Sequence, residues 1–150
     1  MAVVTVQDIL DRAQQFEQLL ADYYANVSKH ADREGVRLLT DYMSRHRERI
    51  LAALEKLSAE RIHRICSAPL RYEPQAADCR CFEGMDLSKD ATAGQVLDAA
   101  VTFDECLVSL YRQVLQQPVD QEVTALVGGF LRAEQRDEIE LKKIKAMDYF

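Results

Sequence analysis

Apolar side chains recur every three or four residues through four long stretches of this chain. A sequence so patterned buries its apolar stripes by laying helices side by side. In the first stretch the stripe is Ile9, Ala13, Phe16, Leu20, Tyr23 and Val27, opened by Thr5 as an N-cap with Asp8 in the first turn, which predicts a helix over about residues 6–29. With Asp32 as its cap, the second carries Val36, Leu39, Met43, His46, Ile50, Ala53 and Leu57 and is expected over about 33–65. Thr92 and Gln95 form a capping box ahead of Val96, Ala100, Phe103, Leu107, Leu110 and Val114, predicting a helix over about 93–117 that stops before Pro118. Asp120 caps the fourth, about 121–148, whose stripe is Val123, Val127, Phe130, Leu141 and Ile144.

Between the second and third stretches the texture changes. Residues 67–91 hold Pro69, Pro74 and Gly84 and sustain no period. A connection of about 25 residues is much longer than a bundle loop and can carry the chain from one end of a bundle to the other. Leu70, Tyr72, Phe82 and Met85 are expected to tack it to the surface. The predicted fold is an all-α, antiparallel four-helix bundle forming one domain over residues 1–150. Gly128-Gly129 is costly inside a helix and is read as a close helix crossing in preference to a kink.

Charge and cysteine content narrow the function classes. With 25 acidic against 19 basic residues the formal charge is −6, and no basic face for nucleic acid emerges. The densest basic run, Arg45-His46-Arg47-Glu48-Arg49, reads as a solvated helix face. There is no secretory signal and no membrane-spanning run, so the expected compartment is the cytoplasm. The four cysteines are accordingly read as reduced thiols. Cys79 and Cys81 form a loop pair that could take a soft metal or cycle redox states, although no second pair completes a zinc site. Nucleophile-elbow and phosphate-loop patterns are absent.

The informative residues are ionisable groups set among core positions, where an unpaired charge is costly. Glu17 lies one turn from Ala13 and Leu20, His46 between Met43 and Ile50, and Asp104 between Ala100 and Leu107. Glu134 and Asp137, about 60° apart around a helix, interrupt the fourth stripe. There is also an internal echo: Phe16-Glu17 precedes Tyr24 by the same spacing that separates Phe103-Asp104 from Tyr111.

In these residues the chain resembles the ferritin-like di-iron carboxylate proteins of the ferritin and rubrerythrin superfamily. That architecture places one Glu on each of two helices and a Glu-x-x-His pair on each of the other two. The resemblance implies metal ligands at Glu17, His46, Asp104, Glu134 and Asp137, supported by Tyr24 and Tyr111, with iron or manganese as the cofactor. It also departs from the pattern: Met43 stands where a bridging Glu belongs, Asp137 replaces the second His, and Asp104 is shorter than Glu. His30 and His63 lie too far away to compensate.

Three readings follow. The first is a bundle whose metal centre is altered or lost, kept as a structural or binding module rather than an enzyme and paired as a homodimer. The second is an iron or manganese oxidoreductase or storage protein using the remaining ligands, with an unidentified small-molecule or protein redox partner. The third is a carrier for an apolar small molecule, with Gly128 and Gly129 opening room between helices.

Overall fold

In a computed structural model that describes residues 3–55, 63, 65–77 and 79–147, the chain forms four long helices joined as two hairpins. They are α1 (Val6–His30), α2 (Glu34–Glu55), α3 (Ala93–Leu115) and α4 (Gln121–Met147). Residues 63 and 65–66 are also helical; of the expected α2 stripe, Leu57 lies outside the described residues.

The starts of α1, α3 and α4 are written locally. The Asp8 backbone N–H donates to the Thr5 hydroxyl while the Thr5 N–H donates to the Asp8 carboxylate at 2.8 Å. Thr92 and Gln95 repeat that exchange at α3, and the Val123 N–H donates to Asp120 Oδ1 at 2.9 Å at α4. Each bond satisfies a backbone donor that the helix itself leaves unpaired. Asp32 does not cap α2 as expected: the helix begins at Glu34, and the Arg33 carbonyl accepts from the Arg37 N–H at 3.1 Å, which puts Arg33 in the cap position.

α1 packs along α2 and α3 along α4, whereas α2 and α4 approach each other little. The core is drawn mainly from α1 and α3. Ile9, Ala13, Leu20, Val96, Ala100, Leu107 and Leu110 are fully enclosed, and both Phe-acid-Tyr echoes, Phe16-Glu17…Tyr24 and Phe103-Asp104…Tyr111, are buried.

The long connection crosses the bundle from end to end along the groove between α1 and α3. It starts beside the first residues of α1, where Val6 N–H donates to Ala68 O and Leu70 N–H to Val4 O. Arg12 then donates to the Pro74 carbonyl at 2.6 Å, and the Gln117 amide binds both the Tyr72 carbonyl and the Arg71 N–H. A 3-10 turn, Cys79–Phe82, drops Phe82 onto Phe16 and Phe103 at ring-centroid distances of 5.3 and 4.7 Å. Leu70, Phe82 and Met85 pack on the core as expected, while Tyr72 is anchored by its backbone on Gln117 and by its hydroxyl on the Gln113 carbonyl and leaves its ring half exposed. The same turn brings Cys81 against α3, where it forms a disulfide with Cys106. The reading of reduced thiols is thereby corrected for Cys81 and Cys106, and that of a Cys79/Cys81 chelating pair with it, because the turn directs Cys81 to α3; Cys66 is a free, buried thiol.

The expected close crossing at Gly128-Gly129 is not found. A Cβ at Gly129 would meet nothing within 4 Å, and one at Gly128 only the end of the Arg132 side chain at 3.5 Å. α4 runs through both without interruption. Gly129→Ala is therefore expected to raise the unfolding free energy by about 1 kcal/mol, the propensity difference alone. Urea unfolding checks this; a loss of stability would show that the glycine is needed for packing after all.

Candidate carboxylate centre

α2 decides what the centre of the bundle contains. Its buried row is Val36, Leu39, Thr40, Met43, Ser44 and Arg47. Two of the polar members are satisfied at once: the Thr40 hydroxyl donates to Val36 O at 2.7 Å and the Ser44 hydroxyl to Ala21 O at 2.8 Å. The third is a full charge. Arg47 is 2% exposed and projects across the bundle midpoint.

One terminal nitrogen of Arg47 serves the two glutamates and the other the two aspartates. Nη1 donates to Glu17 at 3.2 and 3.3 Å and to both Glu134 oxygens at 3.2 Å. Nη2 donates to Asp104 and, at 3.0 Å, to Asp137. The planar fork of a guanidinium offers two N–H bonds on each of these nitrogens, enough for one to each of four carboxyl groups. Glu17 and Asp104 are fully enclosed and Glu134 nearly so. Asp137 sits closer to the surface, and its other oxygen lies 3.3 Å from His46 Nε2.

Four acids around one cation leave an excess of negative charge in a dry site, and proton affinities adjust. Burial pushes the Glu17 carboxyl up to about 8, its closeness to Glu134 adding to the rise and Arg47 opposing it. Burial likewise raises Asp104 to about 10 against the pull of Arg47, helped by its hydrogen bond with Asp137. At Asp137 burial also opposes the charge, but hydrogen bonds from His46 and Asp104 and the Arg47 charge outweigh it and hold the group below the usual carboxylate range. Burial opposes the charge on Arg47 too; Glu134, Glu17 and Asp104 overcome it and fix Arg47 as a cation. Protons on Glu17 and Asp104 thus take part of the charge compensation that Arg47 alone does not supply.

Of the expected ligands, Glu17, Asp104, Glu134 and Asp137 converge. His46 reaches the group only from its rim, its side chain 33% exposed and its ring stacked on Tyr42 at 6.2 Å. Tyr24 and Tyr111 are buried beside the acids, but the Tyr24 hydroxyl has no hydrogen-bond partner among the described residues, and neither has Asp104 Oδ2. The basic run around Arg47 is not wholly a solvated face: Arg45 and Arg49 are exposed while Arg47 is enclosed. The signal was positional, since Arg47 follows Val36 by eleven residues, about 20° past three full turns, whereas His46 is rotated about 80° away.

A metal pair does not fit this set. The inward pair that α2 brings to the acids is Ser44 and Arg47, three apart, which supply neither a carboxylate nor an imidazole, and the guanidinium fills the space between the acids. Asp104, Glu134 and Asp137 do bring one oxygen each within 4.8 Å of one another, a spacing compatible with one ion.

No family model and no curated protein matches the chain. Among solved structures it is similar to a Thermotoga maritima protein described as ferritin-like and diiron-carboxylate, with a TM-score of 0.70 and 18% identity over 97% of each chain. The fold is thus ferritin-like. None of the described helices is long and apolar enough to cross a membrane.

The raised acids set a pH dependence. Between the ordinary carboxylate range and about 8 for Glu17 or about 10 for Asp104, the unfolded chain has released protons that the folded chain keeps. Their contribution to stability is complete below the unfolded values and is lost as pH rises through the folded ones. Asp137 acts oppositely, its contribution fading as pH falls below the ordinary carboxylate range. Thermal stability is therefore expected to peak in mild acid and to decline toward pH 8. In Glu17→Gln, which cannot titrate, that decline should be shallower; an equal slope in both proteins would contradict the assignment.

Proposed function

We propose that this chain is a ferritin-like bundle in which an internal guanidinium takes the place of a metal pair, and that it serves as a structural or binding module rather than as a di-iron oxidase. The observation that carries the reading is the position of Arg47, bonded to four carboxyl groups supplied by the other three helices. A fixed cation there competes with any metal for the same oxygens. It also contributes no redox or Lewis-acid chemistry of its own. The T. maritima neighbour is described as diiron-carboxylate; the α2 residues of this chain argue for a different content in a similar fold.

A second reading rests on the closeness of Asp104, Glu134 and Asp137. With Arg47 displaced, these three would hold one divalent ion through oxygen alone, which suits manganese or iron better than a softer metal.

One titration separates the two. Wild-type protein produced with ferrous or manganous salt is expected to retain well under one ion per chain after desalting and to melt at the same temperature with and without Mn²⁺. A bound ion would raise the melting temperature by mass action. Arg47→Ala should lose about 3–5 kcal/mol, because the buried acids lose their counter-charge, and should then recover stability as Mn²⁺ is added. A stoichiometric ion in wild-type protein, abolished by Glu134→Ala, would overturn the metal-free reading in favour of the second.

A further inference from the structure

The little-packed side of the bundle, between α2 and α4, holds a cleft of about 480 Å³ whose wall includes Glu134 and Asp137 of the carboxylate centre. Its sides are apolar or aromatic: Ile50 from α2, Tyr111 from α3, and Phe130, Leu141 and Ile144 from α4. Two ring pairs flank it, Tyr42 stacked on His46 and Tyr111 tilted on Phe130 at 5.8 Å. The volume lies within the range of small-molecule sites, which are apolar enclosures with a few convergent polar groups. Gly128 and Gly129 do not line it, so the room arises from the separation of α2 and α4.

Charge selects the occupant. Glu134 and Asp137 both face the cleft and both draw on the single guanidinium behind them. Glu17 and Asp104, deeper in the centre, share that same guanidinium. The acids at and behind the cleft wall therefore outnumber the one guanidinium that serves them. At the mouth the exposed Arg136 and Glu140 offset each other. Each carboxylate oxygen can accept a second hydrogen bond beyond the one it shares with Arg47 or, at Asp137 Oδ1, with His46, and aromatic faces attract cations in addition.

We infer that the cleft between α2 and α4 binds a flat aromatic molecule bearing one ammonium group, its rings between the Tyr42 and Phe130 sides and its N–H donors on Glu134 and Asp137. This inference rests on the metal-free reading only in that the two acids must be open to the cleft.

The probe is 1-naphthylmethylamine, whose fluorescence is not masked because the chain has no Trp. In metal-free buffer containing a chelator at neutral pH, it is expected to bind at one site per chain. The anionic 1-naphthylacetate should bind at least tenfold more weakly. Ala133→Trp, at an exposed lining position, should fill the cleft and weaken amine binding tenfold or more while leaving helicity and melting temperature unchanged; Ile50→Trp is the second variant, filling the cleft from α2. Equal or tighter binding of the acetate would overturn the cationic class. No saturable binding, or amine binding indifferent to both Trp variants, would overturn the site. A concentration-dependent dimer that Ala133→Trp dissociates, with no amine bound, would assign the cleft to a second copy of the chain and overturn the proposal. The chelator separates this result from the metal question: amine binding could persist even if Mn²⁺ alone proved stoichiometric, and could fail while the protein remained metal-free.

Discussion

Arg47 is an ionised side chain held at the midpoint of a protein interior, and the arrangement of the polar core follows from keeping it there. Removing a guanidinium from water costs several kcal/mol, offset only when its donors are met with good geometry. Here three helices each contribute acids, α1 through Glu17, α3 through Asp104, and α4 through Glu134 and Asp137. Because every helix places a member in this network, the relative heights of the four are coupled. A shift of one helix by a single turn would strand a charge. Apolar packing favours collapse of the bundle, while the Arg47 network selects one register among the ways of collapsing.

The two hairpins are similar in their first helices and dissimilar in their second. α1 and α3 present the same buried Phe, acid and Tyr at the same spacing, and each acid meets a different terminal nitrogen of one guanidinium. α2 breaks the correspondence: opposite the two acids of α4 it offers a hydroxyl and a cation. A bundle with acids on all four helices would need external positive charge. With Arg47 on α2 and protons on Glu17 and Asp104, the chain supplies compensation from within itself and from water.

Helix number, order, three of the four caps and the long crossing connection were legible in the sequence because each depends on local chemistry or on periodicity averaged over many turns. Thr5, Thr92 and Asp120 act at their own helix ends, and the stripes of α1 and α3 are apolar enough to fix their buried faces. The convergence of Glu17, Asp104, Glu134 and Asp137 was readable for the same reason, as interruptions of well-defined stripes. α2 was harder: its buried row contains Thr40, Ser44 and Arg47, so hydrophobicity pointed to a face rotated toward His46. Only the partners on three other helices make an inward arginine favourable, and such partners are separated from it by dozens of residues. The Cys81–Cys106 bond was hidden likewise, because a 3-10 turn inside an irregular connection sets its direction.

The crossing connection has a mechanical consequence. It is the covalent link between the hairpins and is stitched along the α1–α3 flank from Val4 and Leu70 at one end to Asp32 and Lys89 at the other. No comparable strap spans α2 and α4 among the described residues. The α2–α4 flank is held instead by side chains, chiefly Arg47 on Glu134 and Asp137. Exposure within the network is graded accordingly, from Glu17 and Asp104 at the enclosed depth, through Glu134, to Asp137 beside the strapless flank.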